Sequence, residues 1–398
     1  MTAFSQPRLH RLDDAMQAYT DHGEVPGLVA LVARGDAVHV VKAGLQDLAS
    51  GAPMARDTIF RIASMTKPIA AVAAMMLVED GKLRLDEPVD RLLPELADRR
   101  VLRTLESELD DTVPAHRPLT LRDLLTFRCG FGLMMAKPGT YPIQKAVSDA
   151  GFAPGPTAAQ LPPDDWIARF ATLPLMAQPG ERWHYHTGSD ILGVLVARAA
   201  GRPFDAFLAE RIFAPLGMKD TGFHVPADKI GRLATSYMID RESGKPSVFD
   251  SPEDSRWTRP IVFASGSSGL VSTADDYLAF GRMMLNGGRH GGKRILSRAT
   301  VELMTADHLL PAQKAASPLY PGFWSSHGWG FGMAVVTARE GYLSVGSYGW
   351  DGGLGTSFRN DPKEGLTCIL LTQRAMRSPV PEPIYGDIWA LTYQALDD

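Results

Sequence analysis

Apolar residues recur at helical spacing at the start of the chain, at Leu9, Leu12, Met16 and Tyr19, and predict an opening helix. The pattern then shifts to β-rich runs. Gly27 to Ala33, a turn at Arg34-Gly35-Asp36 and Val38 to Val41 together read as a hairpin. Ile59 to Ile62 reads as a short strand leading into Ser64. From Ala70 to Val78 nearly every position is apolar, as expected of a helix buried on all sides, and Gly81 ends it.

The middle of the chain reads as helices and loops. Thr120-Leu121-Arg122-Asp123 starts a short helix as a capping-box variant, with Leu124 and Leu125 as its buried residues. Residues 130–163 are rich in Gly, Pro and Ala with little periodicity, which suits a long loop over a functional site or a plain insertion. Asp164 and Asp165 begin another helix, and Ile191 to Ala199 and Phe204 to Ile212 give two more. Thr273 caps a helix running through Asp276, Leu278, Phe280 and Met284.

After residue 325 the period changes to that of strands. Gly330 to Ala338, Tyr342 to Tyr348, Thr356 to Arg359 and Leu366 to Thr372 read as successive antiparallel strands, with a turn at Arg339-Glu340-Gly341. Ile384 to Leu396 closes as a helix. With strands at both ends and helices between, the economical arrangement is an α/β fold. Residues 1–80 and 260–398 form an antiparallel sheet flanked by helices; 81–259 form an inserted, mostly helical lobe, with the loop 130–163 over the cleft. No internal repeat or low-complexity segment interrupts this plan.

Composition narrows the function classes. The 398 residues are 45% apolar and 22% charged, an ordinary globular profile with room for two lobes. The net charge is -4 and the bases are interleaved with acids, so no basic stripe offers itself to nucleic acid. Cys129 and Cys368 are the only cysteines, too few for a disulfide framework or a four-cysteine zinc site. Met1 to Asp14 has no apolar core, and the richest apolar run, Ile69 to Val78, is about half the ~20 residues of a membrane span. The expectation is a cytoplasmic protein without membrane attachment. No phosphate-cradling glycine loop is present, so no nucleotide cofactor is implied.

Three short segments carry chemistry. Ser64-Met65-Thr66-Lys67 is the only Ser-x-x-Lys in the chain. At the start of a helix, Lys67 lies one turn beyond Ser64 on the same face, where a partly buried amine can take the serine proton. A chain of this length yields about one such match by accident, so position matters more than letters. Tyr185, in Trp183-His184-Tyr185-His186-Thr187, sits just before a helix, where a phenol can relay a proton or can simply pack. Gly349-Trp350-Asp351-Gly352-Gly353 reads as a strand end where a backbone N–H, with that of Ser64, would form an oxyanion hole, or as a plain glycine-rich hairpin.

Together these segments resemble the serine β-lactamase and penicillin-binding-protein superfamily, and within it the class C β-lactamase-like esterases (family VIII carboxylesterases). The resemblance extends to Phe60-Arg61-Ile62-Ala63, Leu121-Arg122-Asp123-Leu124-Leu125-Thr126, Asp190-Ile191-Leu192-Gly193, Pro215-Leu216-Gly217-Met218 and Gly269-Leu270-Val271-Ser272-Thr273. It implies a β-lactamase/transpeptidase-like fold with the active site between sheet and helical lobe. Ser64 would form the acyl-enzyme, Lys67 would activate it, and Tyr185 would act as partner base and proton relay. Gly353 and Ser64 would supply the oxyanion N–H groups. Thr187 stands where lactamases of this type carry the asparagine of Tyr-x-Asn, and Trp350-Asp351-Gly352 replaces Lys-Thr-Gly. Both changes favour small neutral esters over penicillins, and Asp351, if it points inward, would repel anions.

Two further signals are set aside. Ser267, in Gly266-Ser267-Ser268-Gly269, resembles a nucleophile elbow but lacks Gly-x-Ser-x-Gly, and a hydroxyl-rich turn before a helix fits better. His184 and His186 flank Tyr185 but fall short of a metal site, although His186 could hydrogen-bond within the cleft. The expected function is hydrolysis of short-chain carboxylic esters through an acyl-serine, with weak or no β-lactamase activity and no cofactor. A β-lactamase, or an amidase, D-peptidase or acyltransferase on the same scaffold, remains open, as does a non-catalytic ligand-binding module. The sequence gives no oligomeric state.

Overall fold

A computed structural model of the chain describes residues 3–153, 155, 159–240 and 244–397. Its centre is a seven-stranded antiparallel sheet drawn from both ends of the chain: β1 (Gly27–Arg34), β2 (Ala37–Gly44), β3 (His327–Trp329), β4 (Ala334–Val336), β5 (Tyr348–Gly352), β6 (Thr356–Asp361) and β7 (Leu366–Thr372). The spatial order is β3-β4-β5-β6-β7-β1-β2, so the first hairpin docks on the last strand, with Leu28 opposite Thr372 and Arg34 opposite Leu366.

Side-chain alternation divides the core into two layers. Leu28, Ala30, Val32, Leu366, Cys368 and Leu370 face the helices α1 (Gln6–Asp21) and α5 (Pro383–Gln394). Val29, Leu31, Ile369 and Leu371 face the opposite way, onto α2 (Thr66–Glu79) and α4 (Ala274–Leu285). Covered on both faces, β1 and β7 are almost wholly buried, which is why they read as continuous apolar runs. Helix α2 is enclosed between the sheet and α3 (Thr187–Ala200) of the helical region, and so has almost no polar face. Each fully buried Leu, Ile or Met contributes roughly 1.5–3 kcal/mol to this packing.

Several sequence expectations change in detail. Gly330 to Ala338 is not one strand: β3 and β4 are separate, joined through Gly330–Met333, where Gly332 has a φ of +71° and where a Cβ would lie 2.8 Å from the Lys67 carbonyl oxygen. Tyr342 to Tyr348 is irregular up to Tyr348, because the Ser344 N–H is taken by the Asp361 carboxylate instead of a neighbouring strand. The strand begins at Tyr348 and carries Trp350, Asp351 and Gly352 within it. Inside 130–163 a helix, Pro142–Asp149, buries Ile143 and Val147 at i, i+4 spacing. The helix from Phe204 widens into π turns at Ala209–Phe213 before Pro215, which has no N–H to continue the α ladder.

Candidate active site

Ser64 stands at a sharp entry to α2. Ala63 adopts a φ of +44°, a left-handed backbone costing an alanine about 1–2 kcal/mol, and the chain then makes one 3₁₀ turn, Ala63–Met65. The surroundings fix this bend. Ile62 N–H donates to the Leu270 carbonyl at 3.0 Å, Thr66 Oγ1 to the Ala63 carbonyl at 2.7 Å and Tyr277 Oη to the Met65 carbonyl at 2.7 Å. On the sheet side Thr356 Oγ1 donates to the Ile62 carbonyl at 3.1 Å. Gly352 is what lets β5 come so close, since a Cβ there would sit 2.3 Å from the Ile62 oxygen.

Lys67 is fully buried, and its Nζ donates to Ser64 Oγ at 2.9 Å and to the Ser267 carbonyl at 2.7 Å. Burial brings the amine down to about 7, against the upward pull of the Asp190 carboxylate. A large part of it is therefore free base near neutral pH, one hydrogen bond from a serine hydroxyl.

Tyr185 closes the other side. Trp350 Nε1 donates to its Oη at 2.6 Å, and the Lys67 Nζ lies 4.4 Å from its ring centroid. Trp183 stacks on the ring at 5.7 Å, with Phe127 edge-on at the same distance. Burial raises the phenol above its ordinary value, with hydrogen bonds to Ser64 and Trp350 pulling the other way. Tyr185 is thus a neutral phenol, able to give a proton.

These groups open into a cavity of about 720 Å³, within the range of small-molecule sites. Ser64, Tyr185, Trp350 and Gly353 stand on its wall, and Phe323, Met376 and Trp389 supply much of its apolar surface. Among the described residues, no atom beyond its two chain neighbours lies within 4 Å of the place a Cβ would take on Gly353.

Comparison with known proteins decides the family. The β-lactamase family model matches residues 12–385. This chain belongs to the β-lactamase family. It is 40% identical over 361 residues to Protein Rv1367c of Mycobacterium tuberculosis, covering 89% of this chain and 87% of that protein. It is 31% identical over 390 residues to esterase EstB of Burkholderia gladioli, covering 92% and 90%. Among solved structures it superposes on EstCE1, described as a hydrolase with promiscuous acyltransferase activity, with a TM-score of 0.81, 27% identity and coverage of 98% and 99%. The chain is thus a serine β-lactamase-like hydrolase, and the α/β fold read from the sequence is the fold it has.

Not every residue singled out in the sequence faces the cavity of this β-lactamase-family protein. Ser64, Tyr185, Trp350, Asp351 and Gly353 line it together. Gly352 turns back toward Ile62. Thr187 is buried in the first turn of α3 and lines a small separate void with Asp190 and Ser265. Asp351 does point inward, but Arg359 grips its carboxylate at 2.8 Å through both Nη atoms, so its charge is compensated and the expected repulsion of anions is blunted.

His186 lies behind Lys67 and not in the cavity, with its Nδ1 3.5 Å from the lysine Nζ. It is part of a buried network that the sequence did not reveal. Asp190 accepts from Ser265 Oγ at 2.6 Å, from Ser267 Oγ at 2.9 Å and from the Ser267 N–H at 3.2 Å. Ser267 Oγ, donating to Asp190, receives the His186 Nε2–H at 2.9 Å, which leaves Nδ1 as the acceptor facing Lys67. His186 pays for this placement with a φ of +90° and ψ of -71°, a strained geometry worth on the order of 1–3 kcal/mol. Asp190 thereby wraps the 265–267 turn around itself and aims the Ser267 carbonyl at the lysine. The available clue was a lone carboxylate in an otherwise apolar helix.

Proposed function

We propose that the protein is a serine carboxylesterase of the family VIII type, cleaving carboxylic esters through an acyl-Ser64 intermediate, with weak or no β-lactamase activity. The observation that carries this reading is the 2.9 Å contact between Ser64 Oγ and a buried Lys67 amine held at about 7. Ser64 Oγ attacks the ester carbonyl while its proton passes to Lys67 Nζ. The N–H groups of Ser64 and Gly353 receive the developing oxyanion. Tyr185, as a neutral phenol, carries the proton on to the departing alkoxide, which is the relay half of the base-and-relay role that the family resemblance implies for it. Water then attacks the acyl carbon with the same amine as base, releasing the acid and restoring Ser64.

The absence of lysine at Trp350 and of asparagine at Thr187 supports esters over β-lactams. A second reading, acyl transfer to an alcohol, draws support from the cavity, which has space for an acceptor beside a short acyl group, and from the acyltransferase activity described for EstCE1. The test is p-nitrophenyl butyrate hydrolysis by wild type and Ser64→Ala, with a chromogenic cephalosporin in parallel. Turnover lost in Ser64→Ala, with little cephalosporin cleavage, is the expected result. Turnover that survives the substitution would refute the nucleophile.

A further inference from the structure

Resting on the esterase reading, we propose that the acyl half of the natural substrate is bulky and apolar and ends in a neutral hydrogen-bonding group, held by Asp351, Ser357 and Arg359. These three form a polar station in an otherwise apolar cavity. Asp351 Oδ1 accepts from Ser357 Oγ at 2.6 Å and from Arg359 Nη1 at 2.8 Å, and Oδ2 accepts from Arg359 Nη2 at 2.8 Å. Ser357 pairs directly across from Asp351, and Arg359 across from Gly349, so all three side chains share one face of the β5–β6 pair.

Ser357 and Arg359 in turn pair with Leu370 and Cys368, so the station lies on the α5 side of the sheet and is reached from Ser64 along the cavity past Gly353. Successive residues of a strand point to opposite sides, so Trp350, bonded to Tyr185, and Asp351 lie on different sides of β5. The alkoxide leaves toward Tyr185, which leaves the acyl chain to run past Gly353 and along Asp351. Two residues of strand separate Gly353 from Asp351, or ~7 Å. A butyryl chain is too short to span that distance and leaves uncovered the part of the cavity on that side, walled by Met376, Tyr385 and Trp389.

Charge selects the terminal group. Asp351 and Arg359 cancel each other, and Glu340 stands at the same cavity's edge. His327 Nδ1 lies 2.8 Å from Ser326 Oγ, and the ring is neutral, since burial brings it down to about 4. Burial raises the Tyr320 and Tyr385 phenols above their ordinary value, so neither adds charge to the wall. The lining thus carries one net negative charge and disfavours a carboxylate. Arg359 makes three hydrogen bonds among the described residues, fewer than the five N–H groups of a guanidinium. The station can therefore both donate to and accept from a hydroxyl, amide or lactone.

The probes are p-nitrophenyl butyrate, p-nitrophenyl 3-phenylpropionate and the 4-hydroxy and 4-carboxy ring derivatives of the latter. In wild type, kcat/KM should rise about ten-fold from butyrate to phenylpropionate, rise again with the hydroxyl and fall with the carboxylate. Asp351→Asn unbalances Arg359, so the ratio of carboxy to hydroxy substrate should swing upward by about ten-fold or more. Ser357→Ala, which leaves the ion pair whole, should reduce only the advantage of the hydroxyl. Butyrate as the best substrate, or a carboxy-to-hydroxy ratio that ignores Asp351→Asn, would overturn the proposal while leaving the esterase intact. Absence of Ser64-dependent cleavage of every ester would instead overturn the esterase reading, and this one with it.

Discussion

The indole N–H of Trp350 points at the phenol oxygen of Tyr185 from 2.6 Å, joining the sheet to the helical region at the mouth of the cavity. A donor to that oxygen steadies whatever negative charge it takes on as its proton moves to the leaving group. Trp350→Phe keeps the aromatic packing and removes the donor. A hydrogen bond of this kind is worth about 1–3 kcal/mol, or roughly 5–150-fold in rate. The expected result is a kcat for p-nitrophenyl butyrate reduced within that range while KM changes less. An unaltered kcat would show that the bond is only structural.

Lys67 should impose its titration on the rate. The free amine is the active form, and burial places its pKa at about 7. Below that pH the amine is protonated and cannot accept the serine proton, so kcat/KM should fall with decreasing pH through about 7 and level off above it. Lys67→Ala should cost several orders of magnitude, on the order of 10³-fold or more, because amine and hydroxyl act as a unit. A pH–rate profile of wild type and near-complete loss in the variant are the two checks; a near-wild-type variant would remove the base from the mechanism.

Asp190→Asn tests the network behind the lysine. The carboxylate raises the Lys67 pKa, so its loss lets burial act unopposed and the acid limb of the profile should move to lower pH. An amide also cannot accept from Ser265, Ser267 Oγ and the Ser267 N–H as the carboxylate does, so the turn bearing the Ser267 carbonyl is released. We expect kcat to fall about ten-fold or more. A limb that stays in place, whatever the loss of rate, would mean that Asp190 does not govern the charge on Lys67.

Two neighbouring glycines should respond differently. In Gly352→Ala the new Cβ meets the Ile62 oxygen at 2.3 Å and Thr356 Oγ1 at 2.2 Å, forcing β5 away from the turn that carries Ser64. Overpacking of this sort costs roughly 1–3 kcal/mol, and activity should be lost with it. In Gly353→Ala the methyl enters open space, and the melting temperature should remain within about 2 °C of wild type. Thermal denaturation of the two variants side by side decides the matter; equal losses would contradict the packing described for Gly352.

What could be read before the structure was known was local. Ser64 and Lys67 are three residues apart on one helix, and Thr273 does cap its helix, accepting from the Asp276 N–H. The strand Leu366–Thr372 is buried throughout and matches its apolar run residue for residue. Tyr185 and Trp350 needed a family resemblance, because they are distant in sequence and meet only through the fold. Asp190 and Ser265, 75 residues apart, carry no periodic signal. Ser267 acts through a main-chain carbonyl, which leaves no mark on residue type. The break between β3 and β4 was hidden because Phe331 and Met333 are as apolar as strand residues; a close approach of Gly332 to the Lys67 carbonyl makes the turn.

A sheet made from both ends of the chain also sets the order in which the site can be assembled during synthesis. Ser64 and Lys67 leave the ribosome early, whereas Gly353 follows roughly 290 residues later, an interval of about a quarter of a minute to a minute at ~5–20 residues per second. Strand β1 cannot acquire its neighbour β7 until later still. A nascent chain thus holds its nucleophile and amine well before Ser267 and Gly353, which orient the amine and offer the second oxyanion N–H, so chemical competence and completion of the fold arrive together.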